Sequence, residues 1–142
     1  METLPKIEIS ANGRTFTMTP CENSSASALV EKLEKGSLKI EMEDYAGMEK
    51  VGTLPFSLPQ NNRQIQTNAG DVILYLGNHF VIYYGTNSWS LTHLGKIDGA
   101  TREQLLETFG TGSVNITLSL KKGNRPITEF HNLQELLKKT AR

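Results

Sequence analysis

The 142-residue chain holds a single cysteine, Cys21, and a single tryptophan, Trp89. One thiol excludes an internal disulfide and the zinc sites built on paired cysteines. It is compatible with a reducing compartment, and a cytoplasmic location is the expectation. Net charge is also missing, because Lys and Arg number 15 and Asp and Glu 15. That removes the electrostatic footprint of a protein that binds nucleic acid or an anionic membrane. The pairs Lys121-Lys122 and Lys138-Lys139 are too short to restore it. No apolar run approaches the ~20 residues of a membrane span, and METLPKIEIS carries no apolar segment of a secretion signal. His79, His93 and His131 are scattered without ligand spacing, so neither a metal site nor a cofactor is expected. There is no Gly-x-Ser-x-Gly elbow for a serine nucleophile. Gly110 and Gly112 follow a helix and precede a strand, the wrong order for a phosphate loop.

What is present reads as one soluble domain over residues 1–142, with 37% apolar and 21% charged residues. In KIEISANGRTFTM, Asn12-Gly13 is a favoured type I′ turn that sets Ile9 opposite Phe16 and Ile7 opposite Met18. Asn23, Ser24 or Ser25 can cap a helix whose Ala26, Leu29, Val30 and Leu33 share one face, with Gly36 as its stop. SLKIEME alternates as a half-buried strand. Residues 44–69, broken by Pro55 and Pro59, read as a long irregular connection with a short edge strand at Phe56–Leu58. In GDVILYLGNHFVIYYG a two-residue turn at Gly77-Asn78 sets Leu74 opposite Val81 and Ile73 opposite Ile82. Both faces of this pair are apolar, so a helix is expected over the second face. SWSLTHL can add a strand. Thr101 and Gln104 fit the capping box of a second helix. SVNITLSL directs Val114, Ile116, Leu118 and Leu120 inward, and TEFHNLQELLKKTAR reads as a third helix. Hairpins without βαβ alternation predict a mainly β fold: a closed or nearly closed antiparallel barrel of about eight strands with two or three capping helices.

The runs EMEDYAGMEKVG, the GDV that opens a strand, and YGTNSWSLTHLGKI resemble the small bacterial cyclophilin-like proteins, a cyclophilin-type β-barrel family of unsettled function. The resemblance covers roughly residues 5 to 120 and implies a closed barrel of about eight strands with a helix near each mouth. True cyclophilins isomerise X-Pro bonds with an arginine on a barrel strand beside an aromatic pocket. Here Arg14, Arg63, Arg102, Arg125 and Arg142 fall in turns, loops, a helix start and the terminus. The catalytic arginine of true cyclophilins therefore has no counterpart, and no catalytic residue is assigned.

Cys21 precedes a helix, where a thiolate can be stabilised, but no base is assignable to it and a structural role is expected. Glu41 and Glu43, in an acidic cluster with Asp44 and Glu49, fill the polar face of a strand. The remaining candidates are Tyr45, Met48, Phe56, Tyr83, Asn87, Ser88 and Trp89, the aromatic and amide mixture that a small-ligand or peptide pocket requires. The competing interpretation makes Tyr83 and Trp89 barrel core; between the two, Trp89 is expected at a barrel mouth, part core and part pocket wall. The functional expectation is a non-catalytic module, monomeric or weakly dimeric, that binds an unidentified peptide or small molecule. The alternative is a weak peptidyl-prolyl cis-trans isomerase.

Overall fold

The computed structural model describes residues 4–45, 49–110 and 112–121. The third expected helix lies outside the described residues. Among the described residues nine strands and two helices run in the order β1 (Ile7–Ala11), β2 (Arg14–Pro20), α1 (Ser24–Leu33), β3 (Leu38–Tyr45), β4 (Glu49–Thr53), β5 (Arg63–Gln66), β6 (Asp71–Tyr75), β7 (His79–Tyr83), β8 (Ser88–Ile97), α2 (Arg102–Phe109) and β9 (Val114–Leu120). Every pairing is antiparallel. Around the ring the order is β2-β1-β9-β3-β4-β7-β6-β8, and β8 pairs back onto β2. Eight strands therefore close a barrel with no free edge, as expected from the alternation. β5 stands outside the ring, paired with β8.

Alternating side chains fill the middle. Ile7 and Ile9 of β1, Phe16 and Met18 of β2, Ile40 and Met42 of β3, and Ile116 and Leu118 of β9 share one buried cluster. The first hairpin keeps the expected register, Ile9 opposite Phe16 and Ile7 opposite Met18, with Asn12 and Gly13 both at positive φ. The seam between β2 and β8 depends on Gly95: a Cβ there would lie 2.5 Å from the Thr19 carbonyl oxygen.

The helices close the mouths. Asn23 caps α1 by accepting the Ala26 N–H at 2.8 Å, and Leu29, Val30 and Leu33 enter the core. At the other end Thr101 and Gln104 form the capping box of α2. Phe109 packs against Phe16 with ring centroids 5.8 Å apart. Asn12, in the first hairpin turn, donates to the Thr108 carbonyl.

Two local expectations are corrected, and a third is answered for the described residues alone. The second hairpin pairs Leu74 with Phe80 and Ile73 with Val81, one residue away from the expected register. Its positive-φ residues are Leu76 (φ 54) and Gly77 (φ 84), so the turn starts on a leucine that propensity would not place there. Next, the 44–69 connection contains two strands, β4 and β5, while Phe56–Leu58 is not a strand. β4 was hidden by its composition. Charged Glu49 and Lys50 occupy buried positions. Gly52 holds a position where a Cβ would lie 2.5 Å from Ile40 Cγ2 and 2.9 Å from the Glu41 carbonyl oxygen. Finally, among the described residues no helix covers the second face of β6 and β7. There Ile73, Val81, Tyr83 and Leu91 form a smaller cluster, with Val51 and Ile65 against it.

Candidate functional site on the outer wall of the barrel

The smaller cluster marks where the barrel wall is built for something other than closure. Strand alternation sends Phe80 and Ile82 of β7 into the main core and leaves His79, Val81 and Tyr83 on the outer side. On β4, Glu49 and Val51 face the same way. β8 serves two neighbours: Thr92 to Lys96 pair with β6 across a bulge, whereas Ser88 to Leu91 pair with β5. The β5–β8 ribbon flanks the outer face of β4, β6 and β7. Between ribbon and wall lies a cavity of about 430 Å³. Val51, Val81 and Leu91 supply apolar lining, and Tyr45, Tyr75, Tyr83 and Trp89 supply four aromatic rings. Glu49, His79 and Asn87 supply the polar groups.

Of these polar groups, Asn87 is fixed by its neighbours. Asn87 Nδ2 donates to the Tyr83 hydroxyl at 3.1 Å. The Asn87 carbonyl accepts the Thr67 N–H at 2.8 Å, and Asn87 Oδ1 accepts the Ser88 N–H at 2.9 Å. Burial pushes the Tyr83 phenol up to about 12, with the adjacent Glu49 carboxylate adding to the rise. The Glu49 carboxyl is pushed above the usual carboxylate range by burial, opposed by a hydrogen bond from Tyr83. Only 9% of Glu49 is exposed, yet its Oε1 has no hydrogen-bond partner. His79 Nδ1 is buried and unpartnered as well, its ring standing edge-on to Tyr75 at 6.2 Å. A buried acceptor without a donor carries a desolvation cost of about 1–3 kcal/mol that a ligand can relieve.

On the opposite face of β4, Lys50 is fully buried. Its Nζ lies 3.1 Å from Asp44 Oδ1 and donates to the Gly112 carbonyl at 2.5 Å. The Tyr84 hydroxyl donates to the same Asp44 oxygen. That bond, with Lys50 adding to it, holds the Asp44 carboxyl below its ordinary value. Burial and then Asp44 push the Tyr84 phenol up. Arg102 Nε donates to the Tyr84 carbonyl at 2.9 Å, tying α2 to this mouth.

A third group involves Cys21, for which the sequence offered no base. His93 lies beside it: the imidazole is pushed up to about 9, first by its hydrogen bond to Asp71 and then by Cys21. His93 Nε2 is 3.1 Å from Asp71 Oδ1. Asp71 also accepts the Asn68 N–H at 2.7 Å and has Lys96 Nζ at 3.6 Å. Burial raises the Asp71 carboxyl less than these partners lower it.

Of the candidates named from sequence, Tyr45, Tyr83, Asn87 and Trp89 come together on the cavity. Trp89 lies on the ribbon rather than at a mouth, and at 57% exposed it is wall rather than core. Ser88 lies on the ribbon and accepts from Gln64 Nε2 at 3.1 Å. Phe56 packs elsewhere, against the main core, with Lys32 Nζ 5.0 Å from its ring. Met48 lies outside the described residues. Glu49, Tyr75 and His79 were missed. The period-two spacing His79, Val81, Tyr83 was the signal that could have found the floor. Glu49 was grouped instead with the acidic residues of the neighbouring strand.

Among the described residues, no three or more His, Cys, Asp or Glu side chains are arranged to hold a metal ion. No described helix is long and apolar enough to cross a membrane. The sequence profile of the cyclophilin-like family matches residues 9–120, and the chain belongs to that family. Neither the curated proteins nor the solved structures contain a match.

Proposed function

We propose that this chain is a non-catalytic binding module that takes a small molecule or a peptide side chain into the outer-wall cavity. One observation carries the proposal. Among the described residues the large exposed apolar or aromatic side chains are Tyr45, Tyr75, Leu76 and Trp89, and all but Leu76 line the same concavity. Monomeric proteins rarely gather exposed aromatic surface in one place without a partner for it.

The placement of the described arginines favours binding over prolyl isomerisation. Arg14 stacks over Phe16 at 5.2 Å, Arg102 bonds the Tyr84 carbonyl, Arg63 opens β5, and none of them lines the cavity.

Screening peptide and metabolite libraries by Trp89 fluorescence and amide NMR tests the proposal. The expected result is saturable binding with shifts centred on Tyr83, Asn87 and Trp89. Binding that shifts only residues remote from Trp89 would overturn it. Clear acceleration in a protease-coupled X-Pro assay would replace it with an isomerase.

A further inference from the structure

Building on the binding role proposed for the outer-wall cavity, we infer that its ligand carries a protonated alkylamine, held by Glu49 and the surrounding aromatic rings. Glu49 lines the cavity, and its Oε1 is a buried acceptor without a donor. A neutral apolar ligand would leave that oxygen, already shut off from water, unpaired. A ligand carboxylate or phosphate would meet Glu49 with no described lysine or arginine on the lining to offset the repulsion. An ammonium group supplies both missing elements, an N–H donor for Oε1 and a positive charge. The negative faces of aromatic rings attract such a cation, at about 0.5–2 kcal/mol depending on desolvation. Tyr45, Tyr75, Tyr83 and Trp89 surround the space an ammonium would enter. The alkyl stem then rests on Val51, Val81 and Leu91, as lysine stems rest on apolar surfaces.

The titratable groups lining the same space are Tyr45, Tyr75, Tyr83 and His79. Lys50, next along β4, is engaged by Asp44 and Gly112 on the opposite face.

The test uses n-butylammonium and its neutral counterpart 1-butanol, titrated at constant ionic strength and pH 7 against the fluorescence of Trp89, the sole tryptophan. The expected result is saturable binding of butylammonium, at least tenfold tighter than butanol. Glu49→Gln should weaken butylammonium at least fivefold while leaving butanol unchanged. Tyr75→Leu, which keeps the carboxylate, should weaken it two- to fivefold. Parallel titrations with blocked lysine and norleucine peptides distinguish the source: a lysine peptide that outbinds free butylammonium assigns a side chain, and the reverse order assigns a free amine. Equal binding of butanol and butylammonium would overturn the inference while leaving the cavity as a binding site. So would a Glu49→Gln variant that folds and binds butylammonium with unchanged affinity. Absence of a saturable response to butylammonium would also overturn it, and the library screen then decides separately whether the cavity binds anything.

Discussion

Glu49 and Lys50 are neighbours on one strand, both buried, and they lead opposite lives. Lys50 points toward the mouth closed by α2 and has its needs met there by Asp44 and the Gly112 carbonyl. Glu49 points to the outer wall with one oxygen unmatched. Tyr83, which ends β7, and Tyr84, just beyond it, follow suit: Tyr84 serves Asp44 and Tyr83 faces Glu49. A buried charge with all its partners present belongs to the architecture; one with an oxygen left unmatched is a place where the fold has been left incomplete.

The largest effect is expected at the paired charge. Asp44→Ala strips the fully buried Lys50 of its counter-charge, and we expect a loss of about 3 kcal/mol, the low end for a buried pair because Asp44 is partly hydrated. Urea unfolding measures it; a loss below about 1 kcal/mol would show the pair to be ornamental. Gly52→Ala tests whether the same strand is as tightly fitted as its neighbours imply. Overpacking against Ile40 and the Glu41 carbonyl should cost about 2 kcal/mol, read as a lower thermal midpoint.

His93 supplies a second paired case with its own pH window. Its folded pKa of about 9 exceeds the ordinary 6.5. The stabilisation is therefore complete below 6.5 and is lost as pH rises through about 9. His93→Gln should flatten that decline, by on the order of 1 kcal/mol once solvent screening is allowed for, in stability measured across the window. Smallest is Glu49→Gln. Because burial raises the carboxyl, the native state binds its proton more tightly than the unfolded chain does. Ionisation above the usual carboxylate range thus weakens the fold. The variant should be slightly more stable than the parent at neutral pH and no different well below that range, in paired urea titrations. Asp44 runs the other way, its contribution present at neutral pH and lost as acid protonates it.

The barrel was legible in the chain because its inner face alternates cleanly, as in Ile7, Ile9, Phe16 and Met18, and because Asn12-Gly13 and Thr101–Gln104 are local signals. The site was only half legible. Tyr45, Tyr83, Asn87 and Trp89 stood out by residue type. Glu49, however, sits in a strand whose buried charges and Gly52 disguise its period, and Tyr75 and His79 flank a turn whose first left-handed residue is Leu76. The Cys21–His93 proximity depends on how β2 and β6 both pair with β8, which no local spacing reveals.

The contrast between the paired and unpaired charges is tested most directly by following the carboxyl carbons of Asp44 and Glu49 by NMR through an acid titration, with and without n-butylammonium. Glu49 is expected to titrate above the usual carboxylate range and to move down when the amine is present, while Asp44 titrates below its ordinary value and ignores the amine. A Glu49 that titrates as an ordinary carboxylate, unmoved by the amine, would contradict it.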